Sequence, residues 1–279
     1  MDTTEKLRVR LDQILSQPST DGPYLTVELT RGPRVDNPPT TVMVREWTGK
    51  EQQLMASEGL NPSQRIEKMV AACTHAIGTV EDRETINRWV HGLTVTDRTL
   101  LLFAIRRATL SPLYPYITKC PNPSCRVEEL NEVNLGEFEV IHPTDLSWSR
   151  EVTLPSGLEV VVHPMTGVEE GIIGKFDAQH ATPLGIVGRL SRLGDFPVSL
   201  REGATFRELR PLLDRVLAWP GGDVDAFGQV VRELEGGVDT TATTECGSCG
   251  REYTEEVQLG EGFFAPLALR GRWKKKSSG

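Results

Sequence analysis

Long apolar runs are missing from this sequence. Nowhere do the roughly 18 consecutive apolar residues of a membrane-spanning helix occur, so no helix is expected to cross a membrane. The opening Met1-Asp2-Thr3-Thr4-Glu5 lacks the apolar core of a secretory signal, which predicts cytosolic synthesis. An excess of positive charge is also missing. The 279 residues carry 31 Lys and Arg against 39 Asp and Glu, a net charge of −8. A chain that grips phosphate backbones leans the other way, which argues against nucleic acid as a partner.

Familiar catalytic apparatus is absent as well. There is no glycine-rich phosphate loop, dinucleotide fingerprint, two-histidine metalloprotease motif or Gly-x-Ser-x-Gly elbow. His75, His91, His142, His163 and His180 are scattered without ligand spacing, and the many carboxylates read as a solvated face. The chain is expected to be no enzyme and to take no small-molecule substrate. With 38% hydrophobic residues in periodic stretches, it is still expected to fold, as one large domain or two ordinary ones.

What is present is a repeated order of landmarks. Val42-Met43-Val44-Arg45-Glu46-Trp47-Thr48-Gly49-Lys50-Glu51 aligns with Val160-Val161-Val162-His163-Pro164-Met165-Thr166-Gly167-Val168-Glu169. Glu132-Val133-Asn134-Leu135-Gly136-Glu137 aligns with Glu256-Val257-Gln258-Leu259-Gly260-Glu261. A cysteine pair precedes each second landmark. Charge divides evenly too: 16 basic and 20 acidic residues up to Asp145, 15 and 19 after it, so each part carries −4. These features predict an internal duplication, with modules at 1–145 and 146–269 joined through the Pro-containing stretch His142 to Leu146. A basic tail follows at 270–279, with five positive charges between Arg270 and Lys276. That run reads as a solvated end or as a contact for an acidic partner or nucleic acid.

Each module is expected to open with a hairpin, Tyr24–Thr30 with Thr40–Glu46 and Glu151–Leu154 with Leu158–His163; Pro155-Ser156-Gly157 serves as a tight turn in the second. A Thr-Gly pair then leads into a helix whose early Glu suits the positive end of the dipole. Apolar spacing predicts further helices over Ser63–Ile77, up to Gly92, from Thr94 or Thr96 through Ile105, over Val168–Gln179 and Leu184–Leu193, and over Thr205–Trp219 unless Pro211 starts that one. A last helix carries Val224, Phe227, Val231 and Leu234 and stops at Gly236-Gly237. The fold class is α+β: two similar modules, each a short antiparallel hairpin plus a helical cluster and a cysteine knuckle.

The sharpest chemical signal is the set Cys120, Cys125, Cys246 and Cys249. Two turns that each present a close cysteine pair can build a tetrahedral thiolate site. Three readings follow: one structural Zn2+ bridging the modules in a zinc-ribbon-like site, bare reduced thiols, or disulfides. Cytosolic origin disfavours the disulfides, although a particle released from the cell meets oxidising conditions. Cys73 lies on the apolar stripe of a helix and reads as core.

The stretch Leu93-Thr94-Val95-Thr96-Asp97-Arg98-Thr99-Leu100-Leu101-Leu102-Phe103-Ala104-Ile105-Arg106, followed by Tyr116 and Cys120-Pro121, resembles the T-even-type baseplate (hub) protein family of contractile-tailed phages. The Leu154 to His163 hairpin echoes it, and the match is best over Arg45 to Leu135. The second module has Asp223-Val224-Asp225 where the first has Asp97-Arg98. The resemblance implies a virion structural protein of the tail baseplate, or of a related contractile injection machine, with other baseplate or tail proteins as partners. A transient assembly chaperone and a zinc-ribbon nucleic-acid binder are the alternatives. In that setting Asp97/Arg98 is either a dipole-facing aspartate with a surface arginine or a contact with a neighbouring subunit.

Overall fold

The computed structural model describes residues 8–14, 24–57, 59–176, 181–257 and 263. The basic tail, His180 and the landmark residues 258–261 lie outside them. The described chain is a mixed α/β structure of helices and small antiparallel sheets.

Strand β1 (Arg8–Arg10) and the short helix α1 (Leu11–Ile14) come first. The expected hairpin follows as β2 (Leu25–Glu28) against β3 (Thr41–Val44), with Val27, Val42 and Val44 fully buried. Thr48 caps α2 (Gly49–Met55): its hydroxyl and backbone N–H both donate to Glu51, so the early glutamate closes a capping box. Helix α3 (Pro62–Cys73) starts with proline in its first turn, where the missing N–H costs nothing. It ends four residues before the expected Ile77. Thr74–Ile77 is instead β4, paired with β3. The apolar spacing continues unbroken through Ala76 and Ile77 because both bury in the sheet, so periodicity alone does not mark the switch.

Helices α4 (Arg83–Gly92) and α5 (Val95–Thr109) complete the first helical cluster; Thr94 is the N-cap of α5 and accepts from Asp97 N–H. Leu100, Leu101, Phe103, Ala104 and Ile105 put the apolar side of α5 into the main core, where Phe103 meets Phe138 and Phe263 edge-on. A long hairpin, β5 (Leu113–Lys119) with β6 (Glu128–Asn134), carries the first cysteine pair at its tip. Strand β7 (Glu139–Ile141) pairs with β1.

The second hairpin joins β8 (Arg150–Thr153) to β9 (Glu159–Val162) through a turn in which Gly157 takes φ +87°, a conformation that favours glycine. Helix α6 (Gly167–Ile173) has the same capping box as α2, from Thr166 and Glu169. The expected helix from Leu184 to Leu193 is only half a helix. It is α7 (Ala181–Val187), followed by β10 (Leu190–Leu193) on β9 and by β11 (Phe196–Pro197). Helix α8 (Phe206–Leu217) starts at Thr205, whose capping box with Glu208 fixes the start well before Pro211; the proline sits inside the helix. Helix α9 (Gly221–Glu235) ends at Gly236, φ +65°, where an added Cβ would lie 2.1 Å from the Ile141 carbonyl oxygen.

Strands β2-β3-β4 and strands β8-β9-β10 of the four-stranded sheet share their pairing. Val42, Met43 and Val44 face Ile77, Ala76 and Thr74, skipping His75; Val160, Val161 and Val162 face Leu193, Arg192 and Leu190, skipping Ser191. Both thus carry a one-residue bulge at the same point. Gly78 N–H then donates to Thr41 (2.7 Å) and Gly194 N–H to Glu159 (2.8 Å).

Beyond α9 the chain crosses back. Strand β12 (Gly237–Asp239) pairs with β7, giving a sheet ordered β1-β7-β12. The chain then forms the second long hairpin, β13 (Thr241–Glu245) with β14 (Glu252–Glu256). One core runs from Leu11 to Val140 and takes in Val257 and Phe263; the other lies between Leu154 and Leu234. Among the described residues no helix is long and apolar enough to cross a membrane.

Asp97 stands in the first turn of α5 as expected, but Arg98 is no surface arginine. Asp97 is fully buried and accepts from the N–H groups of Thr30 (2.6 Å) and Gly32 (2.9 Å) and from the Thr30 hydroxyl (2.7 Å). Arg98 is buried too, ion-paired to Glu170 across the junction with α6. Neither side chain presents a surface to solvent. A helix-start position in the sequence does not reveal that a hairpin turn and a second helix close over it.

Candidate metal centre

Cys120 and Cys125 sit in the turn between β5 and β6, and Cys246 and Cys249 in the turn between β13 and β14. The hairpins close alike: Cys120 N–H donates to the Val127 carbonyl (2.9 Å) and Cys246 N–H to the Arg251 carbonyl (3.0 Å). The residue after the second cysteine is left-handed in both turns, Arg126 at φ +52° and Gly250 at φ +69°. That kink turns the chain back and brings a backbone N–H onto sulfur. Asn122 N–H donates to Cys120, Val127 N–H to Cys125 and Arg251 N–H to Cys249. Each donor stands two residues beyond its cysteine.

The hairpins lie side by side with their inner faces interlocked. Thr118 and Tyr253 share a hydroxyl–hydroxyl contact of 2.7 Å, and Tyr116 and Thr244 one of 3.4 Å. Asn131 donates to Thr118 (2.8 Å). Glu129 of the first hairpin accepts from Gly247 N–H (3.0 Å) and from the Ser248 hydroxyl (3.4 Å), holding the second cysteine turn in place. These contacts carry the four thiols to one point. Their sulfur atoms all lie within 4.8 Å of one another, with Cys120–Cys249 at 3.7 Å and Cys125–Cys246 at 3.8 Å.

Those distances fit a metal ion. With zinc–sulfur bonds of about 2.3 Å, the edges of a sulfur tetrahedron measure about 3.8 Å. Four thiols are a soft donor set suited to zinc and other thiophilic ions. Arg251 N–H pulls the Cys249 thiol down to about 7, while burial pushes Cys120 up to about 12. Cys249 thus gives up its proton more readily than Cys120, whose thiolate gains more from a nearby cation.

The remaining sequence candidates stay apart from this cluster. Cys73 is fully buried at the end of α3, its thiol pushed up to about 12 by burial. His75 stacks on Tyr24 at 4.1 Å, and His91 pairs with Glu67 at 2.8 Å. Among the described residues, no other group of three or more His, Cys, Asp or Glu side chains converges to ligand distance. Sequence reasoning missed Glu129 and Asn122, whose amide reaches the Cys249 sulfur at 3.7 Å. The available signal was strand alternation, which puts Glu129 on the inner face with Asn131 and Val133.

Comparison of the chain with protein-family models, with curated proteins and with solved structures gave no match. The chemistry of the site therefore rests on its own geometry.

Proposed function

We propose that this chain is a metal-stapled structural protein. In this reading two related modules, 1–145 and 146–269, are fastened by one Zn2+ on Cys120, Cys125, Cys246 and Cys249. The single observation that carries it is the convergence of four thiols, two from each hairpin, within 4.8 Å. Four thiolates leave no open coordination position, so the ion would serve stability and not turnover. Its binding free energy would add to folding, since the unfolded chain offers no preformed site. Duplication as the origin of the modules is supported by the shared bulge register, the two capping boxes and the two cysteine turns.

The larger role follows from the resemblance of Leu93 to Cys120 to T-even-type baseplate hub proteins. We place the protein in the tail baseplate of a contractile phage, or of a related injection machine, holding neighbouring proteins rigidly. A stapled scaffold with catalytic motifs absent from its sequence suits such a part.

Two measurements test the reading. Protein purified without chelators should contain one zinc per chain and lose thermal stability when a chelator strips it; Cys246→Ser should contain none and be indifferent to the chelator. Zinc-free wild-type protein defeats the metal assignment. For the assembly role, purified tails should contain the protein in fixed copy number. Presence only in assembly intermediates would make it a chaperone, and absence from both ends the baseplate reading.

A further inference from the structure

Each reachable thiol in the cluster faces a buried one on the other hairpin. Cys249 is exposed and its sulfur lies 3.7 Å from that of Cys120, which is 2% exposed. Cys125 is half-buried and its sulfur lies 3.8 Å from that of Cys246, which is fully buried. We infer that the cluster is an oxidation site, at which a peroxide joins the two hairpins through disulfides Cys120–Cys249 and Cys125–Cys246. The inference uses the same thiols as the metal reading but does not require that an ion be bound.

The chemistry follows from who can be reached and who stands next. The Cys249 thiolate attacks one oxygen of hydrogen peroxide; the O–O bond breaks, a sulfenic acid forms, and hydroxide leaves and takes up a proton as water. The Cys120 thiol then loses its proton and attacks the sulfenic sulfur. The S–S bond forms, the S–O bond breaks, and a second water leaves. Two thiols are oxidised by two electrons and one peroxide is reduced to two waters. Closing a gap of 3.7 Å to the S–S bond length of about 2.05 Å asks each sulfur to move by less than an ångström. Cys125 and Cys246 repeat the step with a second peroxide.

The pairing sets the outcome. Disulfides inside each turn would leave the hairpins separable, whereas the sulfur contacts of 3.7 and 3.8 Å run between them. Oxidation along those contacts would strip a bound ion of its ligands and still leave the hairpins covalently joined. A chain made under reducing conditions and later exposed to oxidant would keep its clamp in a second chemical form.

The test treats full-length protein, as purified and after chelator stripping, with stoichiometric hydrogen peroxide. The products are digested without reduction and mapped by mass spectrometry. Expected are loss of two free thiols per peroxide, a Cys120–Cys249 peptide appearing first, a Cys125–Cys246 peptide following, and Cys73 still free. The double variant Cys125→Ser, Cys246→Ser should still form the first bond when stripped. Peptides joined as Cys120–Cys125 or Cys246–Cys249, bonds between chains, or sulfinic acid without disulfide overturn the inference. Zinc content before oxidation bears on the metal reading alone. Stripped protein that gives the cross-hairpin peptides upholds the inference even if no zinc was ever present.

Discussion

Asp97 and Asp223 hold the same post in two different helices. Each is the third residue of a 15-residue helix, each is buried, and each grips the turn of a hairpin. Asp97 takes the N–H (2.6 Å) and hydroxyl (2.7 Å) of Thr30, and Asp223 takes the N–H (2.9 Å) and hydroxyl (2.5 Å) of Ser156. The latch fixes the angle between each hairpin and the helix laid across it. The first latch carries more, since Gly32 N–H also donates to Asp97.

Replacing Asp97 by Asn puts an amide donor against these donors in a dry site. Asp97→Asn is expected to cost about 3 kcal/mol, and Asp223→Asn about 1 kcal/mol because fewer donors are orphaned. Urea denaturation of both variants measures the difference; equal losses would mean that the latches do not follow their hydrogen bonds.

Glycine at the junction of α4, α5 and α6 is a matter of space. A Cβ on Gly167 would lie 2.7 Å from an Arg98 guanidinium nitrogen and 2.8 Å from the His91 carbonyl oxygen, while a Cβ on Gly171 meets nothing within 4 Å. Gly167→Ala should therefore destabilise by about 2 kcal/mol. Gly171→Ala, in the same helix, should stabilise by about 0.5–1 kcal/mol through helix propensity. Thermal melts of the pair decide it, and a stabilised Gly167→Ala would contradict the packing.

The two cysteine turns predict opposite effects of exchanging glycine and side chain. Arg126 bears the left-handed cost that Gly250 avoids. Arg126→Gly is expected to stabilise by about 0.5 kcal/mol and Gly250→Ala to destabilise by about 1 kcal/mol. Both are read from denaturant midpoints, where an unchanged Gly250→Ala midpoint would count against the strain.

Acid should find Glu51. Burial alone would raise its carboxyl, but Arg45 at 2.9 Å and the Thr48 donors outweigh it and hold the group at about 2 instead of the usual 4.5. A carboxyl lowered on folding stabilises above its unfolded value and loses that contribution as pH falls through the folded one. Stability should thus decline between pH 4.5 and about 2 by about 3 kcal/mol on account of this group. Glu51→Gln should flatten that part of the profile, and a profile left unchanged would remove Glu51 as its source.

The cysteine set was legible because short spacing within each turn and a repeated position in the chain are written in sequence. The helix starts were legible for the same reason: Glu51 and Glu169 follow Thr48 and Thr166 by three residues, although in sequence they read as facing the dipole and not as closing capping boxes. Strands β4 and β10 were not, because their apolar residues continue the spacing of the helices before them. Strands of three residues, such as β7 and β12, leave no period to detect. The partners of Asp97 and Arg98 lie 67 and 72 positions away, and a charged residue carries no mark of such a distant neighbour.

Arg31 gives the connector between the two parts an unusual character. Its guanidinium donates to the carbonyls of Asp145, Leu146 and Ser147 and, from α9, of Leu234, while its face covers Trp148. Thr144 and Asp145 N–H groups bind Glu233 close by, and β12 lies on β7. A protease that severed the backbone between His142 and Leu146 would leave two fragments still knotted together by strand pairing and guanidinium, and they would travel as one particle until denatured.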